Sequence, residues 1–401
     1  MAATTRAGVP VVHDDPYDDH NLADPYALFQ RMRDAGPVVW LEKYGVHAFT
    51  RFDPCREILL DHEAFISGAG VGPRNFHHQP SWRPQGILDS DPPVHTPLRT
   101  AMAGVISPRN LRGLRAQFQV FAEQLVDRLL QEREFDAVTG LAEVFPIEVF
   151  GNAVGIPREG REENLLAHGA MNFSQFGPED ERYQAFFAEG EPTIEWVMNN
   201  CARENLTPDG LGAQIWQYAD DGTITPDEAT RLVRALLSAG VDTTVLAIGN
   251  TMQCLASNPD QWALLHEKPN MTKFAVDEAL RYDSPFQSFF RTTGRDVDFH
   301  GLSLAEDTKL VLFMGAANRD PRRWGDDADQ YCITRDAGGH LAFGMGIHQC
   351  VGQPISRLEM DVLLTELAKR VRRIELTGEP QHYLHNTLRG WTSVPVRMHP
   401  A

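Results

Sequence analysis

The stretch AFGMGIHQCVG, residues 342–352, places one cysteine among three glycines and one histidine. A cysteine thiolate in such a loop is suited to bind a metal, because glycines permit tight turns and the close approach of a flat ligand. The helix predicted to follow directs its positive N-terminal end toward the sulfur, and Pro354 falls in its first turn, where a missing N–H costs little. The alternative is that Cys350 is buried and inert beside an ordinary turn.

A carboxylate and a hydroxyl stand side by side in the apolar segment LLSAGVDTT. Asp242 and Thr243 can hold and transfer protons, and the small residues Ala239 and Gly240 before them leave room for a ligand. Alternatively, Thr243 bonds back to a carbonyl one turn earlier and Asp242 pairs with a buried base.

The elements that position these residues are mainly helical, as their apolar spacing indicates. PYALFQRMRDAG predicts an early helix, and VVWLEKYGVHAFTRF predicts a hairpin with Gly45 near its turn. Apolar residues at three- and four-residue steps predict a long helix over residues 108–132. A second long helix begins at Thr225 and Pro226 and runs to about Ser257, roughly 50 Å at 1.5 Å per residue. Its middle is apolar on nearly every face, so it passes through the core.

Strands are expected only in the first 90 residues, in DVDFHGLSL and KLVLFMGA, and near the C-terminus in RGWTSVPVRM. The sequence contains no repeat and no linker between separate cores. We therefore expect one mainly α domain over residues 1–401, with an N-terminal β-rich part at about 36–90 and a helical core over 91–401.

Composition argues against several classes of protein. The net charge of −18 opposes nonspecific binding of nucleic acid, which requires a basic surface. Five cysteines stand far apart, which argues against a disulfide framework or a zinc site. A run of about 18 apolar residues would indicate a membrane span, and none occurs. The first residues also lack the apolar segment of a signal peptide, so the cytoplasm is the expected compartment.

Residues 342–352 carry the pattern F-G-x-G-x-H-x-C-x-G, which resembles the haem-binding signature of the cytochromes P450. Two further segments occur in the order that the family has. LLSAGVDTT resembles its distal helix, and DEALRY holds an E-x-x-R pair, Glu278 and Arg281, completed in the family by a second arginine, here Arg335. The resemblance covers nearly the whole chain. It implies the cytochrome P450 fold, with small β-sheets, a long central helix over haem b and Cys350 as the iron ligand.

Other positions match the haem contacts of that family. Haem carries two propionates, which require cationic or hydrogen-bonding partners. The segment DPPVHTPLR supplies a histidine and an arginine one turn apart, FFRTT supplies a second arginine, and the cysteine loop supplies a second histidine. By resemblance, the haem-binding residues are Cys350, His95, Arg99, Arg291, His348, Phe343, Gly344, Ala239 and Gly240.

The resemblance implies a monooxygenase that uses O2 and electrons from outside, because the chain contains no flavin or iron–sulfur domain. Asp242 and Thr243 match the acid–alcohol couple that supplies protons in the family. A bacterial, cytoplasmic enzyme of this size takes its electrons from a ferredoxin with an NAD(P)H-dependent reductase. A haem-thiolate redox or gas sensor is the alternative of another class, but it gives no reason for the Asp242–Thr243 pair. A basic docking face is expected from Arg109, Arg112, Arg115, Arg322, Arg323 and Arg357.

Several stretches, among them GVGPRNFHHQPSWRPQGIL, NFSQFGP and FFRTTGR, resemble the bacterial subfamily that removes para-methyl groups from methoxybenzoates. In that subfamily an apolar pocket holds the ring and polar groups at its far end hold the carboxylate. By resemblance, the ring is lined by Leu88, Phe173, Phe176, Ala239, Val241 and Phe289, and the carboxylate is held by Arg83, Arg234 and Ser238.

Two departures from that subfamily leave two classes of substrate open. The segment RPQGIL lacks a serine after Arg83 and offers Gln85 or Gly86, and Ala235 stands where a second serine lies beside Arg234. Fewer hydroxyls fit either a benzoate held differently, with Gln85 substituting, or a neutral phenol ether such as a 4-alkylguaiacol. The two arginines favour the benzoate. In both cases the methoxy group is oxidised, which gives a phenol and formaldehyde.

Overall fold

Helices make up most of the structure, as the apolar spacing predicted. The computed structural model describes residues 8–81 and 85–401. In chain order, the helices are α1 (Asp19–Ala23), α2 (Tyr26–Ala35), α3 (Phe52–Leu60), α4 (His95–Val105), α5 (Pro108–Glu132), α6 (Val144–Val154), α7 (Arg161–Ser174), α8 (Glu181–Gly190), α9 (Ile194–Asn199), α10 (Leu211–Asp220), α11 (Pro226–Ala239), α12 (Asp242–Ser257), α13 (Pro259–Glu267), α14 (Thr272–Tyr282), α15 (Met314–Ala317), α16 (Pro321–Trp324) and α17 (Gln353–Arg370).

The strands are short and form one larger and three smaller sheets within the described residues. In chain order, they are β1 (Val11–Val12), β2 (Val39–Leu41), β3 (Val46–Phe49), β4 (Phe65–Ile66), β5 (Glu134–Asp136), β6 (Ser288–Thr293), β7 (Val297–Phe299), β8 (Leu302–Leu304), β9 (Lys309–Phe313), β10 (Val371–Leu376), β11 (Gln381–Leu384), β12 (Arg389–Ser393) and β13 (Pro395–Pro400).

The largest sheet joins strands from distant parts of the chain in the order β1-β2-β3-β9-β6-β4. The predicted hairpin is confirmed: β2 and β3 pair antiparallel, with Trp40 opposite His47, and Gly45 in the turn has a φ of 63°. β9 pairs parallel with β3 and antiparallel with β6. The N-terminal β-rich part therefore shares its sheet with strands from the later part of the chain.

Four strands lie outside the segments that we predicted, namely β5, β6, β10 and β11. Their sequences, EFD, SFFRTT, VRRIEL and QHYL, are very short or lack the strict alternation of a half-buried strand. Pairing with other strands forms them instead: β13 pairs with both β10 and β5, β11 pairs with β12, and β6 pairs with β4 and β9.

Two helices begin where the sequence predicted. Helix α5 covers the expected residues, with a proline in its first turn. Helix α11 begins with a capping box, in which the Thr225 hydroxyl accepts from the N–H of Glu228 and the Glu228 carboxylate accepts from the N–H of Thr225. The cap fixes the start of the helix that crosses the core.

The long central helix is interrupted, and the prediction of one continuous helix was wrong at this point. Helix α11 ends at Ala239 and α12 begins at Asp242. The hydroxyl of Thr243 donates to the carbonyl oxygen of Ala239 at 3.0 Å, and the hydroxyl of Thr244 donates to that of Gly240 at 3.2 Å. Hydroxyls that bond to the carbonyls of the preceding turn compete with the backbone ladder and distort a helix.

Most of the stretch from α11 to α12 lies inside the protein. Pro226–Ser257 is the one helical stretch among the described residues that is long and apolar enough to cross a membrane. That is a weak indication, because 67% of its most apolar window is buried within the protein and buried core helices meet the same criterion.

A buried ionic cluster ties the N-terminal helix α2 to the core. Asp283, only 3% exposed, accepts hydrogen bonds from Arg389 Nε and from the Tyr26 hydroxyl, both at 2.5 Å. The guanidinium of Arg319 stacks between the rings of Tyr26 and Tyr282. Burial by itself raises the pKa of Asp283, but Arg389 and Arg319 outweigh it and hold that pKa below its usual value.

We expect Asp283→Asn to lower the free energy of unfolding by roughly 3 kcal/mol at neutral pH, because two buried guanidinium groups lose their counter-charge. The lowered pKa makes this contribution complete above the unfolded-state value of about 3.9, and it is lost as the pH falls through the folded-state value. Urea unfolding of wild type and variant as a function of pH measures the effect. The exposed Asp326→Asn is the control. An equal loss in both variants at neutral pH contradicts the prediction.

Candidate functional site

Cys350 lies immediately before helix α17, which begins at Gln353. Its N–H donates to the carbonyl oxygen of Phe343 at 2.8 Å, which closes the loop around the sulfur. The Cys350 side chain is exposed to the cavity and is not the buried, inert cysteine of the alternative interpretation. Desolvation by the surrounding protein raises the pKa of its thiol, while the N–H groups of Gly352 and Gln353 and the charge of Arg99 act to lower it. The loop and the helix N-terminus therefore both present positive groups to the sulfur.

Two glycines of this loop have left-handed backbones, with φ values of 64° at Gly344 and 74° at Gly346. A Cβ on Gly346 would lie 2.3 Å from the carbonyl oxygen of Leu59, so the close approach of α3 requires glycine there. A Cβ on Gly344 would meet nothing within 4 Å, and this glycine lines a cavity beside the cysteine. The loop thus leaves open space where a flat ligand can approach.

The cavity lies between the cysteine loop and the central helix, and it has two adjoining lobes. The first lobe, of about 230 Å³, is lined by residues of α4, α7 and α11. The second lobe, of about 180 Å³, is lined by residues of β6 and of the cysteine loop. The two lobes share Leu88, Phe173, Ala239, Thr243, His348, Cys350 and Ser356.

Two histidines and two arginines on the cavity wall fit the two carboxylates of haem. The rings of His95 and His348 lie 4.5 Å apart, and Nε2 of each is buried without a hydrogen-bond partner among the described residues. Arg99 lines the first lobe and Arg291 the second. Burial lowers the pKa of Arg291 to about 10, so its guanidinium is charged at neutral pH. Two imidazoles beside charged guanidinium groups are suited to bind an anionic group.

Asp91 supports His348 and was missed in the sequence. Its Oδ1 lies 3.6 Å from His348 Nε2, and its carboxylate accepts from the N–H groups of Ser67 and Gly68 at 3.1 and 2.6 Å. The signal was present in the segment DPPVHTPLR, which begins with this aspartate. A carboxylate opposes the propionates that its neighbours were expected to bind, so its residue type did not indicate a role at this site.

Asp242 and Thr243 are neighbours with different surroundings. Thr243 lines both lobes, and its hydroxyl donates to the carbonyl of Ala239, as the alternative interpretation of the sequence expected. Asp242 lines neither lobe and packs against α7, where a Cβ on Gly169 would lie 2.6 Å from its Oδ2. That oxygen is buried and has no partner among the described residues. Burial, and then the charge of Glu143, raise the pKa of Asp242 well above its usual value.

Of the three residues before Asp242, Ala239 and Gly240 line the cavity, whereas Val241 is buried in the hydrophobic core. Ala239 lines both lobes, four residues before Thr243 on the same helix face. Gly240 lines the first lobe, and a Cβ there would lie 2.2 Å from Phe150, so this glycine admits the Phe150 ring. Val241 was wrongly predicted as a substrate contact. It lines neither lobe and is buried in the main hydrophobic cluster, because it points away from the face that Ala239 and Thr243 share.

Aromatic side chains form the apolar walls of both lobes. Phe173 and Leu88 line both lobes, Phe176 lines the first and Phe289 the second. Phe286 also lines the second lobe and was missed: its ring stacks on Phe289 at 4.2 Å and lies 5.6 Å from Phe173. Phe286 precedes β6, so neither strand alternation nor helical spacing distinguished it in the sequence.

The polar part of the first lobe comes from α11. Arg234 and Ser238 line it as predicted, but the Ser238 hydroxyl donates to the carbonyl of Arg234 at 2.9 Å, within its own helix. Gln85, expected to replace a serine, lines neither lobe and donates its amide N–H groups to two backbone carbonyls at 2.6 and 2.9 Å. Arg83 lies outside the described residues. Arg231, which we did not predict, lines the lobe one turn before Arg234.

The residues Glu278, Arg281 and Arg335 lie together below the cysteine loop. Glu278 and Arg281 are completely buried and 2.7 Å apart, and Arg335 Nε lies 3.2 Å from the Glu278 carboxylate. Arg281 also donates to the carbonyls of Asn318 and Ala328 at 2.8 and 2.9 Å. One buried carboxylate is thus neutralised by two guanidinium groups that also hold the chain leading to the loop.

The arginines predicted to form one docking face lie in different places. Arg112, Arg115 and Arg357 line a groove of about 400 Å³ between α5, α14 and α17, together with Lys273. Arg322 instead pairs with Asp320 at 3.1 Å. Arg109 does not line the groove, and the guanidinium of Arg323 lies over the rings of Phe52 and Trp324.

Comparisons with known proteins agree with this arrangement. The family described as Cytochrome P450 matches residues 200–382. "Cytochrome p450 CYP199A2" of Rhodopseudomonas palustris is 44% identical over 397 residues, which are 98% of this chain and 96% of that protein. "Cytochrome P450 107B1" of Saccharopolyspora erythraea is 31% identical, over 95% of this chain and 96% of that protein. The solved structure of CYP109Q5 from Chondromyces apiculatus superimposes with a TM-score of 0.80 at 28% identity, over 97% and 99% of the two chains.

We expect His348→Leu to accelerate the loss of haem from the ferric protein by about tenfold, because it removes the buried imidazole that is expected to bind a haem propionate. The rate of haem transfer to an excess of apomyoglobin measures this. The exposed His20→Leu is the matched control. Equal transfer rates in wild type and His348→Leu would exclude a haem contact at this position.

Proposed function

The chain belongs to the cytochrome P450 family of monooxygenases, which bind haem through a cysteine thiolate, and we propose that it O-demethylates a para-methoxybenzoate. The observation that carries the proposal is the first lobe of the cavity. Cys350 and Thr243 stand among its walls with the phenyl rings of Phe173 and Phe176, and α11 contributes the cation of Arg234. A flat acid that is apolar along its ring and charged at one end matches these walls.

Each set of residues on the walls of the two lobes has a proposed role. The haem would be held by Cys350, with His95, Arg99, Arg291 and His348 at its propionates, and would supply the activation of O2. The phenylalanines fix the plane of the substrate ring and exclude water. The other proposed haem contacts are Phe343, Gly344, Ala239 and Gly240. The other proposed substrate contacts are Arg234, Ser238, Leu88 and Phe289. Arg83, also proposed to bind the substrate, lies outside the described residues.

The reaction consumes O2, two electrons and two protons. One oxygen atom enters a C–H bond of the methoxy group, and the other leaves as water. The resulting hemiacetal breaks its C–O bond, which gives the phenol and formaldehyde. The ring itself keeps its oxidation state, so only the methyl carbon has to reach the reacting centre.

Asp242 and Thr243 are proposed to deliver the two protons. Burial raises the pKa of Asp242 well above its usual value, which favours the protonated form that can donate. The Thr243 hydroxyl lines both lobes and is one residue away. Rotation of the Asp242 side chain away from α7 at the helix interruption would bring its proton toward that hydroxyl.

A neutral para-substituted ether, such as a 4-alkylguaiacol, is the second candidate substrate. Two observations favour it: the Ser238 hydroxyl is used within its own helix, and Gln85 does not line the lobe. Both reduce the number of hydrogen-bond donors for a carboxylate. The cation of Arg234 on the wall of an otherwise apolar lobe keeps the acid as the preferred substrate.

We expect 4-methoxybenzoate to shift the Soret band of the ferric holoenzyme and to bind at least about tenfold more tightly than 4-methoxytoluene, which lacks the charge. With NADH, a ferredoxin and its reductase, the acid should yield one formaldehyde per phenol. A response to 4-propylguaiacol alone would establish the second candidate. If no methoxy-aromatic releases formaldehyde, the demethylase proposal fails, and gas-dependent binding of a partner would then indicate a sensor.

The electron donor is proposed to be a ferredoxin that binds the groove between α5, α14 and α17. Three arginines and one lysine line this groove with two aspartates, which leaves a local positive excess on a chain of net charge −18. Helix α17 leads from the cysteine loop to the groove. An acidic surface on the donor would complement it.

We expect Arg112→Glu to slow reduction by the ferredoxin about tenfold at low salt, because a charge at the rim of an interface mainly affects association. Stopped-flow reduction of the CO-saturated ferric protein measures the rate. Arg203→Glu, which changes an exposed arginine outside the groove, is the control. Dithionite reduction should be unchanged in both variants. If ferredoxin reduces Arg112→Glu at the wild-type rate, the groove is not the docking site.

A further inference from the structure

A cluster of three side chains connects the groove between α5, α14 and α17 with the cysteine loop. Asp277 of α14 accepts a hydrogen bond from Nε of Arg357 at 2.9 Å, and its Oδ1 lies 3.6 Å from His340 Nε2. Asp277 and Arg357 both line the groove. His340 is only 4% exposed and lies shortly before the cysteine loop in the chain. The cluster therefore has a partly exposed side in the groove and a buried side next to the loop.

His340 links the loop backbone to the Asp277 carboxylate. Its Nδ1 accepts from the N–H of Ala342 at 3.2 Å, so a neutral ring carries its proton on Nε2, the atom that faces Asp277. Burial lowers the pKa of His340, which favours this neutral form, although Asp277 acts in the opposite direction. Burial by itself raises the pKa of Asp277, but the hydrogen bond from His340 and the charge of Arg357 outweigh it and hold that pKa below its usual value. Asp277 is therefore charged at neutral pH and holds both donors.

Arg357 contacts the cysteine loop directly. Its guanidinium lies 4.6 Å from the centre of the Phe343 ring, the distance of a cation–π contact. The carbonyl oxygen of Phe343 in turn accepts from the N–H of Cys350 at 2.8 Å. The charge of Arg357 also acts to lower the pKa of the Cys350 thiol, so it stabilises negative charge on the sulfur. If this cation moved outward into the groove, or were neutralised there, the sulfur would lose that stabilisation.

An acidic partner in the groove would compete with Asp277 for this cation. The Arg357 side chain is 35% exposed, so a carboxylate of the partner can reach it. Neutralising a positive charge near a redox centre makes the addition of an electron less favourable. We infer, on the basis of the proposed function, that Asp277, His340 and Arg357 couple the groove to the cysteine loop, so that binding of an acidic electron donor and reduction of the haem oppose each other. Because such coupling is reciprocal, the donor binds the ferric protein more tightly than the ferrous protein and is released after it has delivered its electron.

The test measures the binding of an acidic probe to the ferric and to the ferrous haem-loaded protein. The probe is fluorescently labelled hexaglutamate, and its anisotropy at low salt gives a dissociation constant for each oxidation state, with dithionite supplying the ferrous form. His340→Leu removes both the donor to Asp277 and the acceptor for the N–H of Ala342. His340→Gln is the conservative variant, because an amide can both accept and donate. Arg203→Gln, which changes an exposed arginine outside the groove, is the control.

We expect the wild type to bind the probe about fivefold more tightly in the ferric form, the lower end of the usual coupling between two sites. His340→Leu should reduce this ratio to less than about twofold, because the cation is no longer held against the loop. His340→Gln and Arg203→Gln should keep the wild-type ratio. A Soret band of the ferrous–CO form at the wild-type position shows that each variant is folded and that its cysteine still binds the iron.

Asp277→Asn is a second variant, which keeps the shape of a partly exposed side chain. It removes the competitor for Arg357, so the probe should bind more tightly in both oxidation states, while the ratio between them falls. Equal dissociation constants for the ferric and ferrous wild type would overturn the inference, and so would a wild-type ratio in His340→Leu or in Asp277→Asn. A probe that does not bind the wild type, or that binds Arg112→Glu equally well, refutes the docking groove of the proposed function, and the inference fails with it.

Discussion

A buried carboxylate requires positively charged partners at contact distance. Glu278 is such a carboxylate, and the position of the cysteine loop depends on it. Its two guanidinium partners cannot move without leaving a charge unpaired, a cost of several kcal/mol. Arg281 donates to the carbonyl of Asn318, and the Asn318 side chain accepts from the N–H of Leu341 at 2.7 Å. Leu341 directly precedes the cysteine loop. The ionic cluster therefore fixes the backbone from which Cys350 is presented, and the small residues of the loop can remain open to a ligand.

The opposite wall of the cavity contains the interruption between helices α11 and α12. Thr243 and Thr244 bond to carbonyls of the preceding turn, and the Thr244 hydroxyl also lies within hydrogen-bond distance, 3.2 Å, of the Ser356 hydroxyl of α17. This bond joins the central helix to the helix that follows Cys350, so the two walls are held at a fixed separation. The same interruption leaves Asp242 beside Gly169, where any larger residue would collide with its carboxyl group. A carboxyl group with a raised pKa is thus held next to the cavity without lining it.

The sequence predicted what depends on local pattern and missed what depends on distant pairing. The bounds of α5, the cap of α11 and the hairpin at Gly45 follow from caps, periodicity and turn chemistry. The cysteine loop was recognised because its chemistry is compressed into eleven residues. Strand β6 was missed because its partner β9 and the cavity, not its own alternation, determine it. Phe286 and Arg231 were not predicted as cavity residues for a related reason. Only the packing of helices and strands shows which of the many phenylalanines and arginines line one cavity.

The net charge of −18 opposes both the anionic substrate and the acidic electron donor that we propose. Screening confines that repulsion to about 8 Å at physiological salt, so a few arginines at contact distance can outweigh it locally. In the groove, Arg115 pairs with Asp361 and Arg357 with Asp277, each at 2.9 Å. A carboxylate of the proposed donor must compete with these two aspartates for the arginines, which weakens the binding of the donor to the groove. Weak and short-lived association suits a donor that has to leave after each electron, because two deliveries are needed for every turnover.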